Sequence, residues 1–245
     1  MRTYTIALAG NPNTGKSTLF NTLTGLRQHT GNWAGKTVVR AEGEFKHGDA
    51  AYKIIDLPGT YSLYSNSADE EVARDYIIFE QPDVTIVVID ATSLERNLNL
   101  ALQVLEMTNR AVVCVNLMDE AAKLGIRVDL AKIGQRLGVP VVAISARNKT
   151  GIDVLLEQVE RVASGKLVPH PVMIPYNEQI ERKIAELEPV IRETLGARYP
   201  TRWIALRLLD GDESLLQSLK ARMDAPLGSS TAVKEVVRHE QPVCH

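Results

Sequence analysis

The segment that decides the fold is YTIALAG at 4–10 running straight into GNPNTGKS at 10–17. Residues 4–10 form a short apolar run without alternation, the signature of a strand buried on both faces. Residues 10–17 fit the pattern G-x-x-x-x-G-K-[ST]. Backbone N–H groups can surround a phosphate only where side chains are small or missing, hence Gly10 and Gly15. Asn13 and Thr14 complete the turn. Lys16 brings a positive charge, Ser17 offers a hydroxyl to Mg2+, and Thr18 follows in the first turn of a helix whose N-terminus faces the anion.

Outward from this loop, buried runs recur at 84–90 (VTIVVID), 111–116 (AVVCVN) and 139–145 (VPVVAIS). Helical patterns separate them, among them 94–107 and 129–137. Segments 37–47 and 51–57, joined by HGDA, read as a hairpin that makes one edge antiparallel. Strand and helix alternating with buried runs predicts an α/β, doubly wound, mostly parallel sheet of six to seven strands.

Three strand ends carry further candidates. Asp56-Leu57-Pro58-Gly59 closes the hairpin; Asp56 can reach a metal through water, and the Gly59 N–H can meet a γ-phosphate. Asn116-Leu117-Met118-Asp119 closes the run at 111–116. The Asp119 carboxylate can accept from guanine N1–H and its exocyclic amine together, a match adenine lacks. Leu117 stands where many GTPases carry lysine, and Asp119 can equally cap the next helix. Ser145-Ala146-Arg147 offers backbone N–H groups to guanine O6. All lie at carboxyl ends of strands, where open α/β sheets bind ligands. Thr37 follows HTGNWAGK (29–36), read as a mobile stretch, and is a candidate second hydroxyl for Mg2+ or else an ordinary strand-start threonine. The pattern as a whole predicts a P-loop GTPase sheet that binds GTP and GDP, with Mg2+ as cofactor.

The C-terminal third differs. LVPHPVMIPY at 167–176 holds three prolines and reads as a linker. The expected division is 1–165, a linker at 166–175, and a short helical appendage at 176–245. Asn177 caps a first predicted helix, which Pro189 should kink or divide. Pro200 begins a second, and Asp212 caps a third. Three short amphipathic helices predict a face left for the preceding domain or for a second copy, which would make a homo-oligomer.

With 245 residues, net charge -2, 44% hydrophobic and 24% charged residues, the composition is that of a soluble globular chain. A near-neutral charge disfavours nucleic acid as partner. Two cysteines are too few for a disulfide framework. His29, His47, His170, His239, His245, Cys114 and Cys244 show no spacing of a preformed metal site. No run approaches the roughly 20 apolar residues that span a bilayer.

The quoted segments, together with TGNWAGKTV (30–38), DLPGTYSLYSNSADEEVARDYI (56–77), NLMDEAAKLGIRVD (116–129) and LGVPVVAISAR (137–147), resemble the cytosolic GTPase domain of the ferrous-iron transport protein B family. The resemblance covers about residues 4–165. It implies a slow, potassium-stimulated GTPase on the cytoplasmic side of the inner membrane, fused in the intact protein to an iron permease. It also implies a helical module after the GTPase domain. Asn13 matches the asparagine that holds K+, with the carbonyls of Gly31 and Trp33 as co-ligands; Asn13 bracing the loop is the alternative. Lys16, Asn13, Thr37 and Gly59 are then the catalytic candidates. Thr60 occupies the place of the glutamine that orients water in many small GTPases. Ala34 and Lys36 depart from the pattern, which more often has proline and an apolar residue. A ribosome- or RNA-associated GTPase would use the same core, but the mixed charge of 166–245 argues against it.

Overall fold

The computed structural model describes residues 2–25, 28–33, 36–64 and 67–223. It divides into two compact units, one ending at Met173 and the other beginning at Ile174.

The first unit is built on a seven-stranded sheet in the order β2-β3-β4-β1-β5-β6-β7. Its strands are β1 (Arg2–Gly10), β2 (Gln28–Asn32), β3 (Val39–His47), β4 (Ala50–Asp56), β5 (Val84–Asp90), β6 (Ala111–Asn116) and β7 (Val141–Ala143). β1 pairs in parallel with both β4 and β5, and β5, β6 and β7 continue in parallel; β2, β3 and β4 pair antiparallel. The unbroken Val/Ile runs of β5 and β6 are buried along almost their whole length, as strands covered on both faces must be.

Helices α1 (Lys16–Thr24), α2 (Ala68–Asp75), α3 (Leu94–Met107), α4 (Met118–Lys123), α5 (Leu130–Leu137) and α6 (Ile152–Ala163) link the strands. A π-helical turn at Tyr76–Glu80 extends α2. On one face, Leu19 and Phe20 of α1 and Leu155 and Val159 of α6 close a core against Ile6, Leu8, Ile54 and Ile86. Fully burying each such side chain contributes about 1.5–3 kcal/mol. Because β4, β1, β5, β6 and β7 run the same way, the carboxyl ends of all five open on one edge, where the phosphate loop, Asp56, Asn116 and the loop after β7 lie.

The edge differs from expectation. Residues 29–32 belong to β2, paired along β3 from Gln28↔Gly43 to Asn32↔Val39. Its residues from His29 to Asn32 are exposed, so backbone hydrogen bonds alone hold it and no alternation marks it in sequence.

The second unit holds α7 (Glu178–Leu195), α8 (Thr201–Leu209) and α9 (Glu213–Met223). The Asn177 Oδ1 accepts from Ile180 N at 2.9 Å, and Asp212 Oδ1 from Leu215 N at 2.9 Å, the two expected caps. α7 continues through Pro189 and is not divided. Both Pro189 and Ala185, whose carbonyl loses its helical donor, are exposed, so water can serve that group. Ile184, Ile191, Trp203, Ile204, Leu208, Leu215 and Leu219 are buried, so these helices bury apolar faces of their own. Arg202 grips Glu181 with both guanidinium nitrogens, at 2.7 and 2.6 Å, which pushes the Glu181 carboxyl down to about 2.

Candidate functional site: a nucleotide-binding edge

At the end of β1 the chain must turn sharply without side chains in the way. A Cβ on Gly10 would lie 2.7 Å from the Val88 carbonyl oxygen of the neighbouring strand. Asn13 and Gly15 adopt left-handed backbone, φ 66° and 80°, which reverses successive peptide groups. The Thr14 hydroxyl donates to Asn11 O at 2.9 Å and closes the loop. α1 then begins at Lys16, with Asn13, Ser17 and Thr18 exposed.

Lys16 itself is buried. Its Nζ forms an ion pair with Asp56 at the end of β4 and donates to the Leu57 carbonyl at 2.6 Å. Burial pushes the Asp56 carboxyl above the ordinary range, and the Lys16 charge opposes that shift. The loop lysine and the candidate metal carboxylate are thus each other's partners.

The other end of the site hangs on Asn116. Its Nδ2 donates to Thr14 O at 2.9 Å, and its Oδ1 accepts from Ala146 N at 3.0 Å. One buried amide therefore ties β6 to the phosphate loop and to the loop at 145–150. A Cβ on Gly15 would strike Asn116 Nδ2, so Gly15 is required by space as well as by φ. Leu117 takes φ 62° and turns the chain into α4, which carries Asp119 in its first turn. Asp119 Oδ1 is buried and takes no hydrogen bond from the protein, while Oδ2 accepts from Asn148 Nδ2 at 3.2 Å. The Ser145 hydroxyl beside it holds the Asp119 carboxyl below the ordinary range, although Oδ1 receives no well-formed bond from it. Of the three loop amides considered for guanine O6, Ser145 N donates to Thr150 O and Ala146 N to Asn116. Of these three amides, Arg147 N is the one without a protein acceptor.

Between these ends lie the segments that would meet a γ-phosphate. Trp33 packs edge-on against Tyr76 at 5.3 Å with Arg40 over its face at 5.1 Å, and Trp33 N donates to Val38 O. The segment expected to be mobile is thus anchored at Trp33. The Trp33 carbonyl accepts from Lys36 N at 3.0 Å, and Gly31 pairs across to Arg40. Lys36 forms an ion pair with Glu71 in α2. Thr37 is exposed and shares with Gly59 a cavity of about 480 Å³, also lined by Val38, Pro58, Ser67 and Asp69. Ser67 caps α2 by accepting from Glu70 N at 3.2 Å, as its place before the acidic run foretells. Thr60 is buried, and its N–H lies 3.4 Å from Gly10 O.

The structure therefore brings together Lys16 with Asp56, and Thr14 with Asn116 and Ala146. It places Thr37 with Gly59, and gives Gly31 and Trp33 hydrogen bonds of their own in and beside β2. Sequence reasoning missed Asn148, Glu71 and the Leu57 carbonyl: each acts through a partner at least 29 residues away, which local spacing does not show. No group of three or more His, Cys, Asp or Glu among the described residues could hold a metal. Cys114 is buried in β6 with its thiol pushed up by burial. His239, Cys244 and His245 lie outside the described residues.

A glycine-turned loop on β1, a strand-end carboxylate facing its lysine, and an Asn-x-x-Asp at the end of β6 define a nucleotide-binding domain of the P-loop GTPase class. A family model described as ferrous iron transport protein B matches residues 4–159, and one described as the FeoB cytosolic helical domain matches 176–241. The chain belongs to the ferrous iron transport protein B family. It is 40% identical over 216 residues to the Fe(2+) transporter FeoB of Shigella flexneri, covering 86% of this chain and 27% of that protein. The chain thus spans about a quarter of the length of such curated relatives. It superposes on the cytosolic domain of the Thermotoga maritima (T. maritima) FeoB iron transporter in its GDP form I, with TM-score 0.81 and 34% identity over 97% of this chain and 98% of that one. The FeoB G-domain of Methanococcus jannaschii aligns at 48% identity and TM-score 0.59, covering 67% of this chain and 99% of that one. No helix among the described residues is long and apolar enough to cross a membrane.

Proposed function

We propose that this chain binds GTP and hydrolyses it to GDP as the cytosolic module of a ferrous-iron transporter, gating a membrane permease in the remainder of the protein. The observation that carries the reading is the Asn116 clasp. It fixes the phosphate loop and the base loop to one strand end, with a buried Asp119 oxygen left open to a donor. A protonated purine edge such as guanine N1–H is the donor such an oxygen wants. We read residues 1–165 as the GTPase domain, 166–175 as linker and 176–245 as the helical segment, of which 224–245 lie outside the described residues; the break between compact units after Met173 supports the division.

The proposed roles follow from position. The amides of 13–18 and the Lys16 ammonium hold the β- and γ-phosphates, which requires Lys16 to turn from Asp56 to the nucleotide. Leu117 covers the base face, Asp119 reads N1–H and the exocyclic amine, and the loop from Ser145 to Arg147 supplies the amide for O6. Gly59 N–H meets the γ-phosphate.

The hydroxyls of Ser17 and Thr37 and the Asp56 carboxylate are hard oxygen donors of the kind Mg2+ takes. That ion would screen phosphate charge in the transition state. The exposed Asn13 amide oxygen and the Gly31 and Trp33 carbonyls suit K+; the Trp33 carbonyl, already accepting one bond, keeps a second lone pair. Such a cation supplies the positive charge that an arginine finger gives elsewhere.

Thr60 is buried and too short to orient an attacking water, which supports slow turnover. GTP turnover compared in potassium and in sodium tests the reading. Potassium should accelerate it, and Asn13→Ala should remove the difference while sparing GDP binding. Equal rates in both salts would refute the potassium assignment, and no GTP turnover in either would refute the enzyme.

A further inference from the structure

The Asp119 carboxylate has an asymmetric environment. Oδ2 accepts from Asn148 Nδ2 at 3.2 Å, while Oδ1 is buried and takes no well-formed bond, although the Ser145 hydroxyl lies beside the carboxylate. A carboxylate turns readily about its last torsion, which is broad and two-fold. Reading two guanine donors at once requires that plane to be fixed. An ionised carboxylate only accepts, so only the NH2 of Asn148 can face it.

Asn148 is itself held. Its N–H lies 3.4 Å from Ser145 Oγ, and the turn around it is closed by Ser145 N to Thr150 O at 3.1 Å and Thr150 N to Ser145 O at 3.2 Å. Lys149 takes φ 56° to complete that turn. The turn is joined in turn to Asn116 through Ala146 N. At 117 the chain has leucine, which can donate nothing to the base-reading edge.

We propose that Asn148 is a positioning residue for guanine recognition: it fixes the plane of the Asp119 carboxylate so that both oxygens meet the base edge. The proposal rests on the reading of Asp119 as the base-recognising carboxylate. It concerns which base is preferred and leaves phosphate binding alone.

The test is calorimetric binding of GDP, inosine diphosphate and xanthosine diphosphate to the full chain. Inosine lacks the exocyclic amine and needs one carboxylate oxygen; guanine needs two. Asn148→Ala should weaken GDP by about three- to tenfold, the size of one ordinary net hydrogen bond, and weaken inosine diphosphate less. The GDP-to-inosine-diphosphate ratio therefore shrinks. A general loosening of the loop would lower both alike.

Asn148→Asp sets a second carboxylate against Asp119 and favours its protonated form. A protonated Asp119 offers one acceptor and one donor, the complement of xanthine. Xanthosine diphosphate should gain on GDP in that variant. Asn148 is exposed in a turn, so both variants should keep the parent melting temperature.

If both variants keep the parent ratio of GDP to inosine diphosphate within about twofold, Asn148 has no positioning role. Asp119→Asn separates the two claims. If it turns preference toward xanthosine diphosphate while the Asn148 variants change nothing, only the Asn148 proposal falls. If it leaves preference unchanged, the reading of Asp119 falls and this proposal with it.

Discussion

The two ends of the nucleotide edge are built in opposite ways. At the base end the contacts are already those the site needs: Asn116 holds the phosphate loop and the 145–150 turn, and one Asp119 oxygen waits for a donor. At the phosphate end the contacts are ones that binding must exchange. Lys16 is bound by Asp56 and Leu57, Thr37 stands exposed, and Lys36 holds Glu71. The difference teaches where selectivity and switching reside. On the proposed reading, recognition of the purine is preorganised, whereas the phosphate end must exchange its present contacts when a ligand binds.

The largest break in that comparison should come from Lys16→Ala. Removing the charge that meets the phosphates should lower GDP affinity about 100-fold or more, the loss of charge-assisted bonds that the base end cannot replace. A titration calorimeter reading within tenfold of the parent would show that the base end dominates instead. Asn116→Ala comes next. It leaves Thr14 O and Ala146 N without partners, at about 1–3 kcal/mol for each buried group. Thermal unfolding should begin at lower temperature and GDP should weaken at least tenfold; an unchanged melting temperature would mean the clasp is not structural.

Lys36→Met should do less. Exposed ion pairs are worth about 0–1 kcal/mol, so release of Glu71 should speed GDP exchange by no more than about fivefold. Stopped-flow exchange at rising choline chloride sharpens the point: the parent should accelerate with salt, and the variant should not.

The smallest effect on either end should be that of Glu181→Gln in the second unit. The folded Glu181 pKa of about 2 lies below its ordinary 4.5. Its contribution is therefore complete above pH about 4.5 and is lost as pH falls toward about 2. The variant should show a flatter acid-unfolding curve followed by circular dichroism, with GDP affinity at pH 7 unchanged.

Sequence revealed the parts of this molecule that repeat a physical pattern. The buried runs of β5 and β6, the glycines of the phosphate loop, and the caps Asn177 and Asp212 each follow from local rules, and the structure places them accordingly. What was not legible depends on partners distant in the chain. β2 is QHTGN, polar and with most of its side chains exposed, and exists as a strand only because β3 lies beside it. Of the two outcomes expected at Pro189, a kink or a division, the division does not occur: α7 continues through it where its lost bond faces water. Asn148 carries no motif; its meaning appears only when α4 brings Asp119 to it across 29 positions of sequence. Likewise, the three loop amides look equivalent in the sequence until two of them are seen to be engaged.

The Lys16–Asp56 pair imposes a sequence of arrival. A divalent cation coming alone meets a carboxylate already neutralised by an ammonium, and so finds little to attract it. On the proposed roles, a triphosphate would draw that ammonium away and, in the same movement, unmask the carboxylate. Magnesium should therefore enter with the nucleotide or after it, and the protein by itself should show scant affinity for the free ion.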